Sequence, residues 1–247
     1  MRLVHQFLLR IRPAPLADIF KTLLRVRRIN VDTPAGQFWV DPASNFGWRV
    51  SSPNGYEPEW TKEIQRLTNG VSTFVDVGAN EGYYSIIAAR NGARVLAVEP
   101  QQRLLRVIQT NVELNRLTSV QVINCAVSDR SGFSEIYLAS SVNTGSSGFV
   151  RTTAYNLPKA RVKVATLESL LNDAGFATVD VMKMDIEGFE YEAILGSAAL
   201  FQQHKIRILF LELHPHQISS RGLDPASVER FLINCGYARD GIAWRVK

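Results

Sequence analysis

The feature that most constrains the fold is a regular alternation, from Thr73 onward, of short apolar runs with amphipathic helical patterns. The strand-like runs are TFVDV, RVLAV, VQVINCAV, VDVMKMD and IRILFLEL. A helical pattern follows most of them, as in QQRLLRVIQTNVELN, where Leu104, Ile108 and Val112 share one face. Nearly continuous apolar strands that alternate with helices indicate a parallel sheet buried on both faces. The sequence therefore predicts an α/β protein with a doubly wound, mostly parallel Rossmann-like sheet and helices on both faces.

The N-terminal segment differs from the rest of the chain in charge. The formal net charge is +5, and seven basic residues fall in the first 28 positions, against the single acid Asp18. We therefore predict a basic N-terminal extension of helix and short strand over residues 1–60, followed by a Rossmann-like domain over 61–247. Because the excess charge is local, nucleic acid is disfavoured as a partner. A solvated helix packed on the domain and a peripheral contact with an anionic membrane surface both remain open.

Localisation is predicted from apolar runs and cysteines. Pro13, Pro15 and several arginines interrupt the early apolar runs, so no signal-peptide core is expected. No stretch approaches the ~18–20 apolar residues that span a bilayer. Cys125 and Cys235 lie in apolar surroundings without metal-ligand spacing and are expected to be reduced thiols. The sequence therefore predicts a cytoplasmic protein.

The first strand-to-helix turn, from Gly78 to Gly82, indicates a ligand site. Glycines at both ends would let a ligand approach the backbone, at the edge where ligands bind in such sheets. The turn does not match G-x-G-x-x-G, because Asn80 replaces the second glycine and Glu81 would repel a pyrophosphate. Glu99 ends the second strand, where an acid can accept both hydroxyls of a ribose. A nucleoside with a positive centre and no phosphate is S-adenosylmethionine, and this is the predicted cofactor.

Four ordered motifs carry a family resemblance. FVDVGANEGYYS, VEP, KMDIEGFE and LELH resemble the FkbM-type methyltransferases, a branch of the class I S-adenosylmethionine-dependent enzymes, over about Tyr56 to Tyr237. Glu168 stands where the family pattern would have Asp. The resemblance implies that Glu99 binds the ribose, that Val127 or Ser128 borders the adenine, and that Asp185 faces the junction of cofactor and substrate. The residues implied to hold the methionine end are Asp76, Gly78, Asn80 and Gly82.

The catalytic residues are predicted less directly. A hydroxyl acceptor must lose its proton, and the candidate bases are His214, Glu187 and Asp185. His214 is preferred for its ordinary pKa, although Asp185 and Glu187 could instead cap the helix that follows. No metal site is predicted, although Asp185, Glu187, Glu212 and His214 include suitable ligand types.

The acceptor is predicted only as a class. The polar loop at 139–160 is long for a compact domain and could form a lid over a substrate pocket. Its Asn, Thr and Ser residues favour a hydroxylated small molecule or carbohydrate as acceptor. A nicotinamide-dependent oxidoreductase and a non-catalytic cofactor-binding relative are the alternatives.

Overall fold

The computed structural model describes residues 15–149 and 157–247. Arg2, Arg10 and Arg12 of the predicted basic segment, and part of the predicted lid, lie outside the described residues. The strands are β1 Ile29–Thr33, β2 Gly36–Val40, β3 Thr73–Val77, β4 Arg94–Val98, β5 Val120–Ile123, β6 Ala126–Val127, β7 Gly132–Tyr137, β8 Lys159–Ala165, β9 Val179–Met184, β10 Ile206–Leu211, β11 Tyr237–Asp240 and β12 Ala243–Val246. The helices are α1 Pro15–Leu23, α2 Asn45–Val50, α3 Pro58–Thr68, α4 Tyr83–Arg90, α5 Gln102–Leu114, α6 Leu167–Asp173, α7 Glu190–Leu195, α8 Ala198–Gln202, α9 Pro215–Ser219 and α10 Ala226–Asn234.

The main sheet has seven strands in the order β11-β12-β10-β9-β3-β4-β5. The five strands from β10 to β5 are parallel, and β12 and β11 add an antiparallel hairpin at one edge. Because side chains alternate along a strand, Val75 packs into one buried cluster and its neighbour Phe74 into another on the opposite face. Helical residues, among them Leu232 in one cluster and Ile86 in the other, cover both faces. The predicted doubly wound sheet is confirmed.

Two predicted elements are divided in the structure. VQVINCAV forms β5 and then β6, which leaves the main sheet and pairs with β8 in a second sheet of order β6-β8-β7. Asn124 lies at the break, where its amide donates to the carbonyl oxygens of Glu99 and Pro100. The helix predicted over YEAILGSAALF is α7 and α8, separated at Gly196. There the chain passes so close to Asp129 that a Cβ would lie 2.5 Å from its Cα.

The N-terminal segment packs on the domain through the β1–β2 hairpin. Phe38 and Val40 are buried in the same cluster as Tyr83. Arg28 also reaches the buried carboxylate of Glu81, at 2.7 Å from Nη1 to Oε2. The domain boundary near residue 60 stays a prediction, as does membrane contact by this segment. Among the residues that the structure describes, no helix is long and apolar enough to cross a membrane, and the cytoplasmic location stays a prediction.

Candidate active site

A cavity opens at the carboxyl edge of the main sheet, where β3, β4 and β9 end beside the second sheet. Several predicted site residues line this cavity together: Gly78, Asn80, Glu99, Val127, Asp185 and Glu187. Asp76, Gly82, Ser128 and His214 are not among the described residues that line it. Of the two residues proposed to border an adenine, it is therefore Val127 that reaches the cavity, whereas the Ser128 hydroxyl donates to Asp129.

Glu99 links two of the strand ends. Its carboxylate is buried and accepts the backbone N–H of Asn80 at Oε2 and that of Gln101 at Oε1, both at 2.8 Å. Burial raises the pKa of Glu99 to about 7, although both backbone N–H groups favour the charged form. Since each carboxylate oxygen can accept a further hydrogen bond, Glu99 can receive hydroxyl donors from a ligand in the cavity.

The two glycines of the turn serve the protein's own packing. Gly78 has φ +81°, and a Cβ there would lie 1.9 Å from the carbonyl oxygen of Asp185. Gly82 has φ +83°, and its Cβ would contact Ile108 of α5 at 3.2 Å. These contacts give both glycines a structural reason, and the approach of a ligand to the turn stays a prediction. Close approach of the β9 terminus explains Gly78, and the left-handed backbone with helix packing explains Gly82.

Asp76 and Lys183 lie behind the turn. The buried Asp76 carboxylate accepts the Ser85 hydroxyl at 2.6 Å, and its Oδ1 has no hydrogen-bond partner in the described part of the chain. Burial raises the pKa of Asp76. Lys183 donates to the Gly78 carbonyl oxygen and to Asp185 Oδ2, at 3.3 and 3.2 Å. Burial lowers the pKa of Lys183, but the charges of Asp185 and Asp76 outweigh it and raise the pKa overall. Lys183 thus partly neutralises both acids.

Beyond Asp185, acidic side chains surround one histidine. His214 Nε2 lies 3.9 Å from Asp185 Oδ1 and 3.7 Å from Glu187 Oε2, while Nδ1 lies 2.9 Å from Glu190 Oε1. Burial lowers the pKa of His214, but the Glu190 hydrogen bond and the charges of Glu190, Glu187 and Asp185 raise it to about 9. The preference for His214 as base assumed an ordinary pKa, and the neighbouring acids raise that pKa instead, so the identity of the base stays a prediction. Burial, with the neighbouring acids, raises the pKa of Glu187 to about 7.

Glu190 is a site residue that sequence reasoning missed. It is fully buried at the first position of α7, and its Oε1 accepts the backbone N–H groups of Ile186 and Gly188. Both N–H groups belong to the turn that precedes the helix, so Glu190 holds this turn, and no side chain of the described ranges caps the start of α7. The local signal was present, since an acid in the first turn of a helix is favourable. With Glu190 in this place, Asp185 and Glu187 are left facing the cavity.

A second missed group comes from the N-terminal segment. Glu57, with φ +40°, accepts the Tyr84 hydroxyl at 2.7 Å and lies 3.7 Å from Arg49. Tyr56 is close enough to this acid cluster that burial, Glu57 and then Asp185 raise its pKa. Residues before position 60 thus reach the Asp185 side of the site.

The loop after β7 covers the cavity. The Thr144 hydroxyl donates to Asn80 Oδ1 at 2.9 Å, and Gln101 Nε2 donates to the Thr144 carbonyl oxygen at 3.2 Å. Phe149 stacks on Phe189 with ring centroids 3.9 Å apart. The described part of the predicted lid, residues 139–149, therefore contacts the turn at Asn80 and lines the cavity, and its role as a lid stays a prediction.

The strand order and the cavity define a Rossmann-like α/β protein with a cavity at the carboxyl edge of its sheet. A family model described as the methyltransferase FkbM domain matches residues 76–238. The chain therefore belongs to the FkbM methyltransferase family, as the motifs indicated. The predicted cofactor, S-adenosylmethionine, is the methyl donor of this family.

Other proteins resemble the chain more distantly. A ribosomal protein L11 methyltransferase from Syntrophomonas wolfei is 32% identical over 82 residues, which are 33% of this chain and 26% of that protein. A Pyrococcus abyssi tRNA (uracil-54, C5)-methyltransferase structure is 13% identical over 87% of this chain and 39% of its own, with a TM-score of 0.44. A methyltransferase structure from Agrobacterium tumefaciens is 9% identical over 85% and 58%, with a TM-score of 0.45. The chain thus spans less than two thirds of the length of each of these proteins.

Proposed function

We propose that this chain is an S-adenosylmethionine-dependent methyltransferase that methylates a hydroxyl group on a small molecule or sugar. The observation that carries the proposal is the position of Glu99. Its buried carboxylate ends β4, holds the Asn80 backbone at the end of β3, and lines one cavity together with Asp185. An anionic acceptor of hydroxyl groups thus lies within the same enclosure as the acids of the β9 terminus.

The residues that line the cavity fit this cofactor. Glu99 keeps acceptor capacity for the two ribose hydroxyls after its backbone contacts. Val127 and Ile136 give an apolar wall suited to an adenine ring. Gly78 and Asn80 would hold the methionine end, with Asp76 and Gly82 supporting the turn from behind. The nicotinamide alternative fits less well, because the cavity offers acids where a pyrophosphate would need donors.

The chemistry places demands on the acceptor side. Bound S-adenosylmethionine supplies a methyl group on a cationic sulfur: the acceptor oxygen bonds to the methyl carbon, the C–S bond leaves its electron pair on sulfur, and the hydroxyl proton is lost. We assign to Asp185 and Glu187, which line the cavity, the orientation of the hydroxyl and the passage of its proton to solvent. His214 lies beside both carboxylates and stays a candidate base. Loop residues Ser147, Gly148 and Phe149 form part of the cavity wall, and such an enclosure favours a displacement that depends on near-attack geometry.

The charge of the site favours a neutral acceptor over one that carries phosphate. Asp185 and Glu187 line the cavity, and Glu57 lies close enough to contribute to the same field. A phosphate group would meet repulsion from these carboxylates, whereas a nucleic acid needs basic contacts to its backbone. Hydroxyl and backbone groups of the loop, such as Ser147 at the cavity wall, suit a hydroxylated acceptor.

The test is a transfer assay with radiolabelled S-adenosylmethionine and panels of sugars, phenols and other small alcohols, with tRNA as a separate arm. We expect a labelled methyl ether from at least one sugar or small alcohol. We also expect Asp185→Asn to abolish turnover while S-adenosylhomocysteine still binds. Methylation confined to tRNA would refute the acceptor class. Equal turnover by Asp185→Asn and wild type would refute the role of Asp185.

A further inference from the structure

The cluster of Asp185, Glu187 and His214 has the composition and spacing of a metal site. One ligand atom from each residue lies within 4.8 Å of the other two. The distances from His214 Nε2 to the two carboxylates, 3.7 and 3.9 Å, are too long for hydrogen bonds. Ligands of one ion at 2.1 Å are separated by about 3.0–4.2 Å. Small side-chain rotations would therefore close these three atoms around a single ion.

The second ring nitrogen of His214 is held as in metal-binding histidines. Its Nδ1 lies 2.9 Å from Glu190 Oε1, so Nε2 faces the two acids. A carboxylate that holds the distal nitrogen of a histidine fixes both its ring orientation and its tautomer. The Glu190 side chain is fully buried, and its Oε2 has no hydrogen-bond partner among the residues described. Lys183 pairs with Asp185, but the Glu190 oxygen without a partner and the Glu187 carboxylate are groups that a further cation would stabilise.

The cluster is also accessible. The side chains of Asp185, Glu187 and His214 are 30, 19 and 15% exposed. An ion can therefore enter, and coordination positions remain open to water or substrate. Two carboxylates with one imidazole suit a divalent first-row ion better than Ca²⁺, which takes six to eight oxygens. The sequence offers four candidate ligands, and the structure brings three of them together. Glu212 is not part of this cluster.

We propose that Asp185, Glu187 and His214 bind a divalent first-row metal ion such as Mn²⁺, positioned by Glu190, at the acceptor side of the cavity. The metal site extends the proposed function, and only the role of the ion in methyl transfer depends on that function. There it would hold the acceptor hydroxyl and lower its pKa, so that the proton leaves to solvent as the oxygen attacks. The binding itself requires neither cofactor nor acceptor.

The experiment is a titration of the purified full chain with Mn²⁺, in which electron paramagnetic resonance measures the free hexaaqua ion. We expect one ion bound per chain at submillimolar free Mn²⁺. Glu187→Gln and His214→Gln should each abolish binding, while His216→Gln, an exposed histidine two residues further on, should leave it unchanged. Glu190→Gln should weaken binding about 10–100-fold, the range for a lost partner of a metal-binding histidine.

Each outcome bears on the proposal. Mn²⁺ that stays free in the wild type, or that binds equally to Glu187→Gln and His214→Gln, would overturn it; displacement of bound Mn²⁺ by Zn²⁺ would support it. Far-ultraviolet circular dichroism shows whether each variant is folded, because Glu187 lines the cavity and cofactor binding is therefore not an independent control for it. Mn²⁺ binding without S-adenosylhomocysteine binding would leave the metal site standing and remove the methyltransferase function. Methyl transfer unaffected by EDTA, without Mn²⁺ binding, would remove the metal site alone.

Discussion

The two sides of the cavity satisfy their polar groups in opposite ways. On the β3–β4 side, the Glu99 carboxylate is paired with backbone N–H groups at both oxygens, so main-chain geometry holds it in place. On the β9–β10 side, three acids surround His214: Asp185, Glu187 and Glu190. Only Glu190 lies within hydrogen-bond distance of the imidazole ring. The first side is prebuilt to receive hydroxyl donors. The second gathers three carboxylates around one histidine, with Lys183 paired to Asp185, and this set of ligand types is suited to a cation.

The largest effect is expected at the junction of the two sides. Gly78→Ala places a Cβ 1.9 Å from the Asp185 carbonyl oxygen, at a positive φ that alanine adopts at a cost. Unfolding in urea should show a loss of at least about 3 kcal/mol, together with loss of cofactor binding. Gly92→Ala is the matched control, since φ is also positive but no atom lies within 4 Å, and it should cost about 1–2 kcal/mol. Equal stability losses would contradict the packing role of Gly78.

The next effect tests the β3–β4 side alone. Glu99→Ala removes the hydroxyl acceptor and should weaken S-adenosylhomocysteine binding by about 1–3 kcal/mol, the range for a lost hydrogen bond to a charged group. Isothermal titration measures the change, and Glu187→Gln serves as the comparison from the other side. An unchanged dissociation constant in Glu99→Ala would place the ribose elsewhere.

The pH dependence of binding sharpens the same comparison. Burial raises the pKa of Glu99 to about 7, and ribose hydroxyls would favour its ionised form. Affinity for S-adenosylhomocysteine should therefore be full above pH 7 and fall below it, by at most about tenfold per pH unit. Glu187 also has a pKa of about 7 and lines the cavity, so the assignment requires a variant. Glu99→Gln should lose this dependence, and its persistence there would assign it to the acid cluster instead.

The smallest effect concerns the loop that spans both sides. Arg103 donates to the Gln101 side chain at 2.7 Å and to the Ala139 carbonyl oxygen at 2.8 Å, which ties α5 to the start of the loop. Arg103→Ala should raise the dissociation rate of S-adenosylhomocysteine a few-fold, about 1 kcal/mol for exposed hydrogen bonds. Stopped-flow displacement measures this rate. Arg106→Ala, exposed on the same helix, is the control, and an equal change in both variants would remove the loop's role.

The two sides also differ in how far the sequence predicts them. The β3–β4 side follows from local order: an apolar strand, a glycine turn and an acid that ends the next strand, so Gly78, Asn80 and Glu99 were found together. The packing role of Gly78 could not be predicted from local sequence. The Asp185 carbonyl group that approaches Gly78 follows a strand about a hundred residues later in the chain. On the other side, the residue types were noted. The pKa of His214 depends on Glu190, Glu187 and Asp185 in space, and a sequence carries no distances.

The same limit explains the elements that were missed. The split of VQVINCAV depends on the contact of Asn124 with the carbonyl groups of Glu99 and Pro100, which the apolar pattern does not show. The approach of Tyr56 and Glu57 to the acid cluster likewise requires the folded position of a segment whose composition predicted only an extension. Periodicity therefore identified the sheet, while contacts distant in sequence determined the chemistry of its edge.

The central claim is tested most directly by isothermal titration of the full chain with S-adenosylhomocysteine, with NAD as the control titrant. The account predicts binding of S-adenosylhomocysteine at one site per chain, weakened in Glu99→Ala, and no heat of binding from NAD. Binding of NAD, or no binding of S-adenosylhomocysteine by the folded protein, would contradict it.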